Sequence, residues 1–334
     1  MAQQYSTQAL ASILAAWCDD VAETTFEPHV TSSGLSGAVI WRVTHASQTF
    51  CLRRWPREHP GPEKLSDVHH LLRHVQQQGI DFVPVPLVTS QGRSFLVFDE
   101  HLWELSPWLP GEAYHRGPPN PAMQLAAMRC LARFHQAAQS HPGATTGPAP
   151  GLLSRRETLR ELRAGGLQNL RQAVLAKPAS EWGAIAGKLL GEIKRALPTV
   201  LRRLESSADV VLPLQWCLRD VKRDHVLFEG ERVSGFIDFG ATAIDSVAGD
   251  IARLAGSLVG DARDQWPTLI DAYHLFRPLS AEERRVIELF DAGGTLAAAS
   301  NWLRWLLIDG REFPHVRAVQ NQLEGLHARL REQN

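Results

Sequence analysis

Asp220, His225 and Asp238 fall within nineteen residues of one another, in the segments CLRDVKRDHVLF (217–228) and FIDFG (236–240). HVLF and RVSGFIDF flank Glu229-Gly230-Glu231, and an apolar run on each side of a glycine turn signals a β-hairpin. A hairpin folded around 230–232 carries residue 225 to its open end beside 236–238, with the register open by a residue or two. Asp220 stands in the loop leading in, so the three side chains are expected to converge. Two carboxylates and a third ligand so placed can hold one or two Mg²⁺ ions while Asp220 orients a hydroxyl nucleophile. Phosphoryl transfer asks this of a protein because its work there is positioning and charge neutralisation. Singly, each residue has a plainer reading, an Arg-Asp pair closing a turn or an aspartate capping the next element. The set with its spacing favours chemistry.

His225 places a nitrogen where Mg²⁺ prefers oxygen. Three roles stay open for it: a metal ligand that favours Mn²⁺, a hydrogen-bond donor to phosphate whose charge varies near neutral pH, or a histidine bonded to backbone at the hairpin mouth.

The elements that must position these residues read in two styles. A first helix spans Thr7–Asp20, with Leu10, Ile13, Leu14 and Trp17 on one face and Ser6 or Thr7 as cap. HVTSS, AVIWRVTH and QTFCLRRW (29–55) are short β-branched or aromatic runs broken by GLSG and HAS. A helix opens at Pro62 and closes at Gly79. FVPVPLV and SFLVFD are extended. HLWELSPWLPGEAY (101–114) is rich in Pro and Trp and follows neither period, so it reads as a linker. Beyond it helices dominate. Leu125, Met128, Leu131, Ala132 and His135 share a face, HPGATTGPAPG (141–151) is a loop, and residues 154–207 are helices interrupted near Pro178. VVLPLQWCL, HVLF and RVSGFIDF are strands, and Ser280 with Glu283 forms a capping box. The division expected is an N-lobe over 1–100, a linker over 101–111 and a C-lobe over 112–334.

The bulk numbers exclude several classes. With 334 residues, 44% hydrophobic and 21% charged, the chain can bury a sizeable core. A formal net charge of −1 supplies no long-range field for nucleic acid or an anionic membrane. The four cysteines, Cys18, Cys51, Cys130 and Cys217, are scattered without a CxxC, which speaks against a zinc knuckle and fits a reducing compartment. The N-terminus lacks a basic region followed by an apolar run, and no apolar stretch reaches membrane-spanning length. A cytoplasmic location is the expectation, with no nucleic-acid or membrane partner.

The loop D-x-x-x-x-H-V-L-F followed by a hairpin and IDFG resembles the aminoglycoside phosphotransferase and choline kinase family of small-molecule kinases. LARFHQAA (131–138), PWLPGE (107–112), IDSVAGDIARL (244–254) and FCLRRWP (50–56) extend the likeness. The resemblance implies an α+β, two-lobed protein-kinase-like fold, with a small antiparallel sheet and helix, a larger helical lobe, and ATP between them. It implies Asp220 as catalytic base or orienter, Asp238 as principal metal ligand and His225 in the second ligand position. Arg53 takes the place of the basic residue that contacts the α- and β-phosphates. Ser33, Gly34, Ser36 and Gly37 would cover the phosphates through backbone N–H groups. Glu63 on the following helix is the candidate carboxylate partner of Arg53, and Asp245 with Asp250 would be structural. The sequence departs from the family where Leu218-Arg219 replaces His-Gly. R-D-x-K is closer to the protein-kinase loop, whose lysine reaches the transferred phosphate, a role open to Lys222. A protein acceptor is disfavoured, because Asp250 follows Asp238 by only twelve residues with no Ala-Pro-Glu motif after it.

The function so implied is ATP- and Mg²⁺-dependent phosphorylation of a hydroxyl on a small polar molecule, with Mn²⁺ as the alternative ion. The rival is a kinase-fold binding or regulatory protein made catalytically weak by His225. Asp261, Asp264 and Asp271 are acidic candidates for holding a cationic acceptor. The acceptor's identity, ATP against GTP, and the oligomeric state are left open by the sequence.

Overall fold

The computed structural model describes residues 5–29, 37–114, 117, 119–176, 182–313 and 316–333. In chain order its elements begin with α1 (Thr7–Leu14), β1 (Thr25–His29), β2 (Val39–His45), β3 (Gln48–Arg54), α2 (Pro62–Gln77), β4 (Leu96–Phe98), β5 (His101–Pro107) and β6 (Glu112–Ala113). α3 (Pro121–Ala138), β7 (Thr145–Pro148), α4 (Pro150–Glu161), α5 (Leu167–Ala176), α6 (Gly183–Ser207) and β8 (Val211–Cys217) follow. The chain then forms β9 (Val226–Glu229), β10 (Arg232–Phe236), β11 (Ala243–Asp245), α7 (Val247–Val259), α8 (Trp266–His274), α9 (Ala281–Leu307) and α10 (Val316–Gln333). These cluster into two units, Met1–Gly117 with Asp224–Thr242, and Pro118–Arg223 with Ala243–Asn334.

The first unit is built on an antiparallel sheet of order β1-β2-β3-β5-β4. Its core joins Leu10, Ile13 and Leu14 of α1 to Trp41, Val43, Phe50, Leu52, Trp103 and Leu105 of the sheet, with Trp41 and Trp103 stacked at 5.5 Å. α1 starts where the Ser6 hydroxyl accepts the Ala9 N–H. α2 buries Leu65, Val68, His69, Leu71, Leu72 and Val75, a 3–4 spacing that lays one face inward. Leu65 packs with Trp55 and Leu102. The hairpin β9–β10 belongs to this unit and pairs with β6. Phe236 N–H donates to the Phe82 carbonyl at 2.7 Å, and the two rings meet edge-on.

The second unit is mainly helical. α4, α6, α7 and α10 all pack on α9, and a small sheet of order β11-β8-β7 ends at the loop carrying Asp220. The α+β class expected from the sequence is therefore the observed one. The first helix, expected to reach Asp20, ends at Leu14, and two segments differ from expectation in type. His101–Pro107, read as the start of a linker, is β5, held between β3 and β4. Thr145–Pro148, read as loop, pairs with β8 as β7. The expected break near Pro178 lies outside the described residues, while a break that composition did not flag occurs at Gly165, between α4 and α5. Among the described residues, no helix is long and apolar enough to cross a membrane.

Candidate active site

In the second unit, β8 ends at Cys217 and the chain turns through Leu218, Arg219 and Asp220. Arg219 adopts a left-handed backbone, φ 65°, which a non-glycine residue holds only when its surroundings enforce it. Asp250 of α7 does so. Its carboxylate accepts the Leu218 N–H at 2.6 Å and the Arg219 N–H at 2.7 Å. The same carboxylate meets His135 Nε2 at 3.0 Å, and His135 Nδ1 meets the Tyr273 hydroxyl at 2.7 Å. Gln215 donates to the His135 carbonyl. The loop before Asp220 is thus fixed by a buried chain of hydrogen bonds from α3 through α7. Asp220 Oδ1 accepts from Arg253, one helical turn after Asp250, at 2.7 Å. Lys222 is half-buried and has no hydrogen-bond or ion-pair partner among the described residues. Asp245 accepts the N–H groups of Gly151 and Ser246 and pairs with Arg219 at 3.4 Å, and burial raises its carboxyl above the ordinary value.

In the first unit, the hairpin register pairs Phe236 with Val226 and shifts between Val233 and Gly235. Ile237 N–H donates to the His225 carbonyl at 3.0 Å, so the next side chain, Asp238, comes to His225. His225 Nε2 lies 3.5 Å from Asp238 Oδ2. His225 is buried, the Asp238 side chain is 43% exposed, and Asp238 also has a left-handed backbone, φ 66°. The sequence placed these two residues together, and the structure brings them together.

Arg53 projects from β3 toward Glu104, its register partner on β5, at 3.6 Å, and its guanidinium lies 4.8 Å from the Trp55 ring centre. Arg54 faces the other way, over Tyr5. Burial disfavours the Arg53 charge, but Glu104, Cys51 and Asp238 outweigh it, so its pKa stands raised. Arg53, His69, Glu104 and Asp238 all line one cavity of about 30 Å³, enough for about two water molecules. Glu63, expected to meet Arg53, stands instead on the exposed first turn of α2, and the carboxylate beside Arg53 is Glu104. Gly37 is exposed with φ 74°, while Ser33, Gly34 and Ser36 lie outside the described residues.

Sequence reasoning missed Glu104, His69 and Arg253. Glu104 lay in the segment read as linker. A lone charge between Trp103 and Leu105 was its only signal.

Two other groups of polar or aromatic residues are already engaged. His135, Cys217 and Asp250 lie close enough to ligate a cation. The histidine and the carboxylate bond each other and their neighbours, the thiol donates to the Asp245 carbonyl, and burial pushes that thiol well above its ordinary pKa. The group is a structural knot. Asp261 pairs with Arg263 and Arg329, and Asp271 with Arg284, so these two acceptor candidates have internal partners.

The site and fold define a class. A model of the phosphotransferase enzyme family matches residues 29–290, and the chain belongs to that family. No curated protein matches it significantly in sequence. Its fold is similar to that of a spectinomycin phosphotransferase solved with ADP and spectinomycin (TM-score 0.66, 13% identity, 98% of this chain and 94% of that one). A microcompartment-associated aminopropanol kinase is comparable (TM-score 0.65, 14% identity, 98% and 97%). So is an amicoumacin kinase solved in complex with AMP-PNP, Ca²⁺ and Ami (TM-score 0.64, 11% identity, 97% and 94%).

Proposed function

We propose that the chain is a nucleoside-triphosphate-dependent phosphotransferase acting on a hydroxyl of a small polar molecule. The observation that carries this reading is Asp220 itself. Its carboxylate stands on a left-handed loop clamped by Asp250, which is the fixed, part-exposed group that must align a hydroxyl for in-line attack. Asp238 is the companion carboxylate. Its exposed oxygens suit a hard divalent ion, and His225 Nε2 at 3.5 Å suits Mn²⁺ better than Mg²⁺. Such an ion, when bound, neutralises phosphate charge. Arg53 serves the α- and β-phosphates, and Lys222, which has no partner among the described residues, serves the transferred one. The neighbours' nucleotides, ADP and AMP-PNP, support a nucleotide donor, and their spectinomycin and aminopropanol names support a small hydroxyl-bearing acceptor.

In this reading Asp220 orients the acceptor hydroxyl and takes up its proton as the oxygen bonds to the γ-phosphorus, while the bond from that phosphorus to the β,γ-bridging oxygen breaks and nucleoside diphosphate leaves. A cytoplasmic location fits this chemistry, since the donor nucleotide is abundant there. The test is thermal stabilisation by ATP or GTP with Mg²⁺ or Mn²⁺, measured beside Asp238→Ala. Metal-dependent stabilisation that the variant loses is the expected result. The absence of stabilisation by any nucleotide defeats the proposal.

The rival reading, a weakly catalytic binding protein, draws on the pairing of Asp220 with Arg253. It expects nucleotide stabilisation without turnover of any hydroxyl acceptor.

A further inference from the structure

The carboxylate that meets Arg53 comes from the sheet, and the helix reaches it through a histidine. Glu104 Oε1 is 3.6 Å from Arg53, and Glu104 Oε2 is 2.8 Å from His69 Nε2. Arg53 and Glu104 face each other across the β3–β5 ladder, so their meeting is set by strand register. His69 sits in the middle of the buried face of α2, between Val68 and the Leu71-Leu72 pair. With the Glu104 carboxylate as its partner, Nε2 carries the hydrogen and donates.

The three side chains differ from a sealed structural network in one respect. Arg53 Nε and His69 Nδ1 are buried without a hydrogen-bond partner among the described residues, and both residues line the cavity that Asp238 also lines. Buried polar atoms are ordinarily satisfied, and exceptions gather where a site is completed by something else. The 3.6 Å separation leaves Arg53 oriented by Glu104 without a short, saturating bond. The guanidinium is also steered by the Trp55 ring beneath it.

We propose that Glu104 and His69 are positioning residues for nucleotide binding, with His69 acting on Arg53 through Glu104. Resting on the function proposed above, this assigns α2 a hydrogen bond to the sheet carboxylate in place of a direct charge on Arg53. His69 fixes the Glu104 carboxylate, and Glu104 fixes the direction in which Arg53 presents its N–H groups to the nucleotide phosphates. Removing the His69 donor leaves Glu104 free to rotate onto Arg53 and saturate it, which withdraws Arg53 from the phosphates.

The experiment uses the full chain and measures the dissociation constant for ATP with Mn²⁺ and with Mg²⁺ by calorimetry, beside kcat with whichever hydroxyl acceptor is turned over. His69→Leu is expected to weaken nucleotide binding about tenfold, the scale of one charge-assisted hydrogen bond. His69→Gln, which can put an N–H near the same place, is expected to restore most of it, and acceptor KM is expected to stay unchanged in both. Wild-type affinity in His69→Leu overturns the proposal, as does a loss in His69→Gln equal to that in His69→Leu. If His69→Leu does not fold, Glu104→Gln decides in its place: weakened nucleotide binding in a folded protein supports the proposal, and unchanged binding overturns it. A wild-type protein that binds no nucleotide removes the proposed function and this inference with it. A wild type that binds, with His69 variants that bind equally, removes this inference alone.

Discussion

Asp220 is held from two directions, and the two holds carry different weights. The backbone before it is bound to a buried carboxylate, whereas its own Oδ1 is bound to Arg253 in a pair with both side chains about 40% exposed (42% and 40%). Exposed pairs contribute little to stability. Arg253→Ala should therefore leave the unfolding midpoint nearly unchanged while lowering kcat about tenfold, because the carboxylate loses its fixed rotation. Asp220→Asn should cost ~10²–10⁴-fold in kcat, the range for a removed general base. A midpoint shift in Arg253→Ala without a rate change would place the pair in folding instead. At His225 the question is the ion. Asn supplies a hard oxygen where the imidazole supplies nitrogen, so His225→Asn should raise the ratio of Mg²⁺-supported to Mn²⁺-supported turnover. An unchanged ratio would mean that His225 does not touch the metal. The residues of this loop were legible in the sequence because they lie in one short run whose hairpin sets its own geometry. Arg253 was not, because its link to Asp220 depends on where α7 begins.

β5 shows why a segment can hide at the level of elements. It runs between β3 and β4 and is buried at every residue from Leu102 to Ser106, so the alternation of Trp103 and Leu105 with Glu104 and Ser106 does not mark a solvent face. Its Trp and Pro content suggested a linker, and with the strand went Glu104. β7 hid for a different reason: Gly147 and Pro148 are poor strand formers, and pairing with β8 overrides local preference. The turn after β5 illustrates how tightly this part is closed. Gly111 has φ 86°, and a Cβ there would meet the Ser234 hydroxyl and, at 2.6 Å, the Phe228 carbonyl oxygen. Ser234 donates to the Pro110 carbonyl across the same contact. Gly111→Ala should cost about 1–3 kcal/mol, from overpacking together with left-handed strain. Urea unfolding of the variant, with its midpoint compared with wild type, is the check. An unchanged midpoint would show that the turn relaxes freely.

For the molecule as a whole, the sequence made the class legible and left the supporting framework obscure. The loop, the IDFG hairpin and the helix start at Pro62 are local patterns, whereas His69–Glu104 and His135–Asp250–Tyr273 join residues distant along the chain. The second of these sets a pH dependence for the whole fold. Burial lowers the His135 pKa from its ordinary 6.5, and the Asp250 hydrogen bond opposes this only in part. Above pH 6.5 the histidine is mostly neutral both folded and unfolded, and no stability is lost. Below it the unfolded chain binds a proton that the folded chain refuses, so stability falls as pH falls toward the depressed folded pKa. The slope from this one group reaches at most about 1.4 kcal/mol per pH unit. Urea midpoints measured between pH 5 and pH 8 should therefore drop below pH 6.5 in the wild type. His135→Gln should start from a lower midpoint at pH 8, because the bonds to Asp250 and Tyr273 are disturbed, and should decline less steeply below pH 6.5. Parallel curves for the two proteins would assign the acid sensitivity to other groups.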